Sequence, residues 1–310
     1  MKKLYTLLFM LSIFSAIISK AWAISPKHAE AYYPLVEAML KQDAASFAQL
    51  KAQLFTEVKE NPLAKIQAVH VSGGVLNGYE DLANAPQGSV GVVNFLWPIQ
   101  KYDDWCGVGT KSRIEQLKAI NAAPNLCGAV ILQDTPGGTV DGTKECADYI
   151  KNEFNKPVVS FIDGLCASAG MWIASAADER YASSETCEVG SIGTMVSFYD
   201  YKGYDEQQGI KQHVIYATKS NRKNRDFHDA QDGKYEGIIN NMLDPLNEIF
   251  INSIKANIPG VSEDVFSGEI YLANAAIEKG LINGISTFEK AVQRAAELGN
   301  QSNKISISLK

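Results

Sequence analysis

The chain has 310 residues, 46% of them hydrophobic and 21% charged, which is the balance of a folded protein able to bury a full core. Its formal net charge of -6 includes no basic stripe of the kind that phosphate neutralisation demands, which argues against nucleic acid as a ligand. The five cysteines (Cys106, Cys127, Cys146, Cys166 and Cys187) are odd in number, dispersed and without metal-like pairing; they read as small core hydrophobes, and no metal site is expected.

The chain opens with Met1-Lys2-Lys3, an apolar run from Leu4 to Ile18, and Ala21-Trp22-Ala23. Basic, apolar and small-x-small parts in that order form a secretory signal over residues 1–23, with cleavage expected after Ala23. The apolar run is about fifteen residues, short of the ~20 that a spanning helix needs unless flanking residues are drawn in as an anchor. An exported protein, or one associated with the membrane through its N-terminus, is therefore expected. The cysteine usage points the other way, to a reducing cytoplasm.

Residues 24–87 read as a helical extension and linker. Tyr32, Leu35, Val36, Met39 and Leu40 fall on one helical face, and Phe47, Leu50 and Leu54 on another. Ala68 to Gln87 is irregular and reads as a strand and a loop. From residue 88 to 299 short apolar runs alternate with helical stretches: Val90–Trp97, Ser112–Asn121, Ala129–Leu132, Lys144–Phe154 and Val158–Ile162. Strand, helix, strand, helix, strand predicts an α/β fold with a mainly parallel sheet and right-handed crossover helices. Further elements are a helix over Ser168–Ala177, strands over Arg180–Ala182 and Ser191–Phe198, and a helix over Tyr235–Ile258 kinked at Pro245. A helix pair, Leu272–Lys279 and Phe288–Leu298, flanks Gly280-Leu281-Ile282-Asn283-Gly284, and residues 300–310 read as a loose tail.

In parallel sheets, reactive groups gather beyond the carboxyl ends of the strands. Asp134-Thr135-Pro136-Gly137-Gly138-Thr139 follows one strand, and its paired glycines let backbone N–H groups approach a ligand; an ordinary Pro-Gly turn gives the same pattern. Asp163 to Gly170 follows another, with Ser168 among small residues at a helix mouth. That suits a nucleophile backed by free N–H groups, and equally an N-cap serine. A hydroxyl needs a base. His28, His70, His213 and His228 have no orienting acid at a telling spacing. A lysine kept neutral by burial is the alternative, and Lys219 and Lys223 lie in the polar run Ala217 to Arg225 that follows the strand-like His213–Ala217.

Four ordered motifs carry a resemblance. They are Asp134-Thr135-Pro136-Gly137-Gly138; Ala167-Ser168-Ala169-Gly170 with Ala176-Ala177-Asp178; Val189-Gly190-Ser191-Ile192-Gly193; and Gly280-Leu281-Ile282-Asn283. From Gly91 to Ala295 the chain resembles the signal peptide peptidase A family of Ser-Lys proteases, whose fold is of the ClpP/crotonase type. The resemblance implies that Ser168 attacks the scissile carbonyl and that a lysine takes its proton. Ser191 would hold the lysine amine, and the Gly137-Gly138 loop with Ala169 would bind substrate and receive the oxyanion on the N–H groups of Gly138 and Ala169. It implies no metal or cofactor, peptide or protein substrates such as membrane-derived signal remnants, and a homo-oligomeric ring whose serine and lysine come from neighbouring subunits.

The base departs from the pattern. Ungapped counting reaches Asn221, and a two-residue insertion reaches Lys223, whose following Asn224-Arg225-Asp226-Phe227 resembles the family's polar run; Lys219 is the alternative base. If neither lysine reaches Ser168, the chain resembles a silent peptide-binding relative. The opening from Trp22-Ala23-Ile24 to Leu40 also resembles prophage members that mature capsid proteins in the cytoplasm. A crotonase-type acyl-CoA enzyme is the other chemistry this fold implies.

Overall fold

A computed structural model describes residues 22–24, 66–72, 75–103, 107–198, 200, 202–211 and 213–308. The expected signal up to residue 21 and the helical extension over residues 25–65 lie outside these described residues. The elements in chain order are β1 (Trp22–Ile24), β2 (Ala68–Ser72), β3 (Val75–Tyr79), β4 (Ser89–Phe95), α1 (Thr110–Ala122), β5 (Leu126–Thr135), β6 (Gly137–Thr139), α2 (Thr143–Asn152), β7 (Val158–Ala167) and α3 (Ala169–Ser175). They continue with β8 (Glu179–Ala182), β9 (Glu188–Gly190), α4 (Lys202–Gln207), α5 (Arg225–Gln231), α6 (Glu236–Ile238), α7 (Asp244–Asn257), β10 (Ile270–Leu272), α8 (Ala273–Glu278), β11 (Gly284–Ile285) and α9 (Phe288–Ser308).

The fold is α/β. β4, β5 and β7 run parallel at the centre of a sheet ordered β10-β9-β7-β5-β4-β2-β3, with β8 and β11 branching from β7. Apolar residues on both faces of the central strands require cover on both sides. Alternate residues supply it: Val93, Ala129 and Ile131 pack with Leu117, Cys146, Ile150 and Trp172 of the helices on one face. Val92, Val130, Leu132 and Phe161 pack with Ala291, Val292 and Ala295 of α9 on the other.

Several elements differ from the sequence reading. β2 and β3 pair antiparallel and β2 joins β4, where one strand and a loop were expected. The strand expected over Ser191–Phe198 is instead β9, just before it, because Ser191 takes φ 54 and turns the chain out of the ladder. His213–Ala217 carries no ladder. The break near Pro245 is a π turn over Ile239–Leu243, which absorbs the missing proline N–H one turn before it. α9 runs to Ser308 in place of a loose tail, since neither Gly nor Pro follows Asn300 to stop it. Among the described residues no helix is long and apolar enough to cross a membrane.

Candidate active site

β7 forks. Val159–Ile162 pairs with β8, whereas Leu165–Ala167 pairs with β9. At the fork the β5–β7 ladder slips after Gln133↔Ile162 and resumes at Thr135↔Cys166. The Asp134 carboxylate fills the slip and accepts the Leu165 N–H at 3.0 Å. Gly164 sits against it with φ 128, where a Cβ would lie 2.8 Å from the Asp134 Oδ1.

The β7–β9 ladder ends on Ala167↔Gly190, so Ser168 and Ser191 are the next residues on two adjacent strands. Both turn sharply, with φ 55 and φ 54, and Ser168 has ψ -113. A non-glycine residue held there stores about 1–3 kcal/mol, and the strand-to-helix elbow is the geometry that presents a nucleophilic hydroxyl. The Ser168 N–H is tied to the Gly190 carbonyl at 2.8 Å. Ser168 occupies the N-cap position of α3 but its side chain makes no capping bond, and among the described residues its Oγ donates to the Gly193 carbonyl alone, at a long 3.5 Å. Ser168 as a residue is 1% exposed, and its hydroxyl is held only by that long contact.

α3, which Ser168 opens, packs against β6. Ile99 donates to the Gly137 carbonyl, and the Thr139 N–H donates to the Ile99 carbonyl, both at 2.8 Å. That backbone passes so close that a Cβ on Gly138 would lie 1.9 Å from the Ile99 oxygen, so glycine is required. The Thr135 hydroxyl accepts the Gly137 N–H at 3.2 Å and donates to the Trp97 carbonyl at 2.8 Å, fixing the turn. With one edge of β6 bound to Ile99, the Gly138 N–H faces the other edge. That edge pairs antiparallel with β1, Ala23 lying opposite Gly138. The Ala169 N–H, at the first residue of α3, has no intrahelical acceptor.

One positioning residue escaped sequence reasoning. Gln133 is fully buried; its Oε1 accepts from the Ser160 hydroxyl and the Cys166 thiol, and its Nε2 donates to the Gly170 carbonyl, each at 3.0 Å. It ties β5, both arms of β7 and the start of α3 together. The far end of α3 is held by Trp172, stacked on Phe250 of α7 at 4.3 Å and 8°, and by Asn257, which donates to the Ser175 hydroxyl.

Asp178, at the end of the Ser168 motif, and the Gly280 motif hold the sheet together. Asp178 accepts the Val158 N–H at 2.8 Å and pins the start of β7. Buried Arg180 donates to the Leu281 and Ala177 carbonyls, and Asn283 accepts the Arg180 N–H, so the Gly280 segment closes the sheet. Burial raises the Cys146 thiol to about 12 and pushes the Cys166 thiol up as well, so neither competes with Ser168 as a nucleophile.

Ser168 and Ser191 thus follow the ends of two adjacent strands, and the helix that begins at Ala169 packs against the strand that carries Gly137 and Gly138. Lys219 and Lys223 do not join them. Both are exposed, among turns after Val214 and the 91% exposed Ile215, and among the described residues neither side chain bonds to Ser168.

A family model described as peptidase family S49 matches residues 150–302. Residues 150–302 belong to peptidase family S49. This S49 region runs from the end of α2 into α9 and holds Ser168, Ser191 and both lysines, with the Gly137-Gly138 turn just upstream. The chain is 29% identical over 188 residues to capsid assembly protease C of Escherichia phage lambda, covering 59% of this chain and 42% of that protein. It is 25% identical over 241 residues to Protease 4 of Haemophilus influenzae, covering 76% of this chain and 35% of that protein. The chain thus spans less than half the length of these two relatives. Among solved structures, a point mutant of ClpP1 from Listeria monocytogenes aligns with a TM-score of 0.41 at 15% identity, over 65% of this chain and 94% of that one.

Proposed function

We propose that this chain is a serine endopeptidase acting on extended peptides through a Ser168–lysine dyad. The observation that carries the reading is the strained elbow at Ser168, φ 55 and ψ -113, at the mouth of α3, which packs against the strand that carries Gly138. Ser168 Oγ attacks the scissile carbonyl. The oxygen that becomes negative is received by the Gly138 and Ala169 N–H groups, a contribution of about 3–4 kcal/mol per donor in comparable sites. Substrate lies as a strand on the edge of β6 opposite Ile99, the edge on which β1 is paired. Ser191, the next residue beyond the β9 ladder, orients the base.

The base is Lys223, with Lys219 as the alternative, and a neighbouring copy supplies it in a homo-oligomeric ring. Two features favour this: neither lysine bonds to Ser168 within one chain, and exposed Val214 and Ile215 lead into the segment that carries both. Membrane-derived signal remnants are the substrates if the N-terminal signal directs export or anchoring. The similarity to the phage lambda protease favours a second reading, maturation of capsid proteins in the cytoplasm.

The test is hydrolysis of an unstructured protein such as casein, with fluorophosphonate labelling of the purified chain. Ser168→Ala should abolish both. Lys223→Ala should abolish hydrolysis while Lys219→Ala retains it, and the reverse pattern names Lys219. Full casein hydrolysis by Ser168→Ala refutes the proposal; an inert wild type supports the silent relative.

A further inference from the structure

The edge of β6 that would receive a peptide already carries a strand, and that strand is the chain's own Trp22–Ile24. The register fixes what lies where. Gly137 O and Thr139 N–H are spent on Ile99, so the alternate groups, Gly138 N–H and Gly138 C=O, face β1. The residue opposite Gly138 is Ala23. In an antiparallel pair whose inward-facing groups belong to directly opposed residues, those two residues exchange both hydrogen bonds. The Gly138 N–H is thus directed at the Ala23 carbonyl, the same N–H that would receive the oxyanion. The bond presented at that position is Ala23–Ile24.

We propose that this chain is a substrate of its own site, cut between Ala23 and Ile24 by Ser168. The proposal rests on the serine endopeptidase reading above. The Ser168 Oγ bonds to the Ala23 carbonyl carbon as its proton passes to the base. The Ala23–Ile24 C–N bond then breaks, and that proton goes to the Ile24 nitrogen, leaving a free amine and an Ala23 ester on Ser168. Water adds to the ester, giving its proton to the base; the ester bond breaks and Ser168 is reprotonated, releasing residues 1–23 with a carboxylate at Ala23. Until the cut is made, β1 holds the edge that a foreign peptide needs. The small-x-small sequence that reads as an export signal is then also the recognition sequence of the chain's own site.

The test is full-length synthesis in a purified, membrane-free translation system, which contains no signal peptidase, followed by intact-mass analysis and casein hydrolysis on the same samples. Wild type should convert to a chain beginning at Ile24, and Ser168→Ala, checked for native circular dichroism, should stay full length. Wild type that digests casein but stays full length overturns self-processing and leaves the endopeptidase reading intact. Wild type that does neither overturns both, and Ser168→Ala that is still cut after Ala23 overturns the proposal. A second variant separates occupancy from chemistry. The Ile24 N–H points away from β6, so Ile24→Pro keeps the ladder while replacing the leaving nitrogen. It should stay full length and digest casein more slowly than processed wild type; equal rates would show that β1 does not hold the edge and would overturn the proposal.

Discussion

Replacing Gln133 by Met keeps the length of the side chain and removes its polar end, which isolates what the buried amide does. The Ser160 hydroxyl loses its partner, as does the weakly donating Cys166 thiol, and the Gly170 carbonyl of α3 loses a side-chain donor. An orphaned buried group costs about 1–3 kcal/mol, so Gln133→Met should destabilise by roughly 2–4 kcal/mol. For a domain of this size that is a fall in Tm of about 6–12 °C. Adding Ser160→Ala removes one orphan and should restore about 1 kcal/mol, a coupling that a double-mutant cycle reads directly. The amide also fixes Gly170, two residues beyond the nucleophile, so kcat on casein should fall about tenfold to a hundredfold with KM little changed. Paired thermal melts and steady-state kinetics check both. A Gln133→Met protein melting within about 2 °C of wild type and turning over normally would refute the positioning role.

Three other expectations follow from the same geometry. Gly138→Ala places a Cβ 1.9 Å from the Ile99 oxygen and must displace the turn, so kcat/KM should fall by about a hundredfold or more while the chain remains folded by circular dichroism. The Arg294 guanidinium, hydrogen-bonded to Glu179 at 2.7 Å, holds that carboxyl below its ordinary value near 4.5. A depressed carboxyl stabilises fully above that ordinary value and loses its contribution as pH falls through the folded value. Urea melts of Arg294→Met should therefore lie below wild type at neutral pH and converge on it at acid pH; a constant gap would contradict the linkage. Trp172→Leu loses the stacked contact with Phe250, worth about 0.5–1.5 kcal/mol beyond its buried area, and should lower the urea midpoint.

The central sheet is legible in the sequence because parallel strands buried on both faces must be written as continuous apolar runs, and Val90–Phe95, Ala129–Leu132 and Val158–Ile162 are such runs. The extension of β7 through Ala167 is not. Asp163 and Gly164 break the apolar pattern, and only the side chain of Asp134, far away in sequence, carries the ladder past them. Ser191 misled the strand assignment for a related reason, since its apolar sequel looks like a strand and the positive φ that ends one leaves no trace in composition. Gln133 could have been noticed as a polar residue inside an apolar run, but its partners at 160, 166 and 170 emerge only once register is known. The pairing of β1 with β6 joins residues more than a hundred positions apart, and no local pattern announces it.

The fork in β7 gives one ten-residue strand two neighbours with different duties. Its first arm leans on β8, which Arg180 and Asn283 bolt to the end of the chain; its second leans on β9, which delivers Ser191 beside Ser168. Load-carrying and reactivity are thereby assigned to opposite ends of a single segment, with Gly164 as the joint between them. Substitutions along Val159–Ile162 should register in melting temperature and those along Leu165–Ala167 in turnover, so a scan of ten consecutive residues would separate the foundation of this protein from its cutting edge.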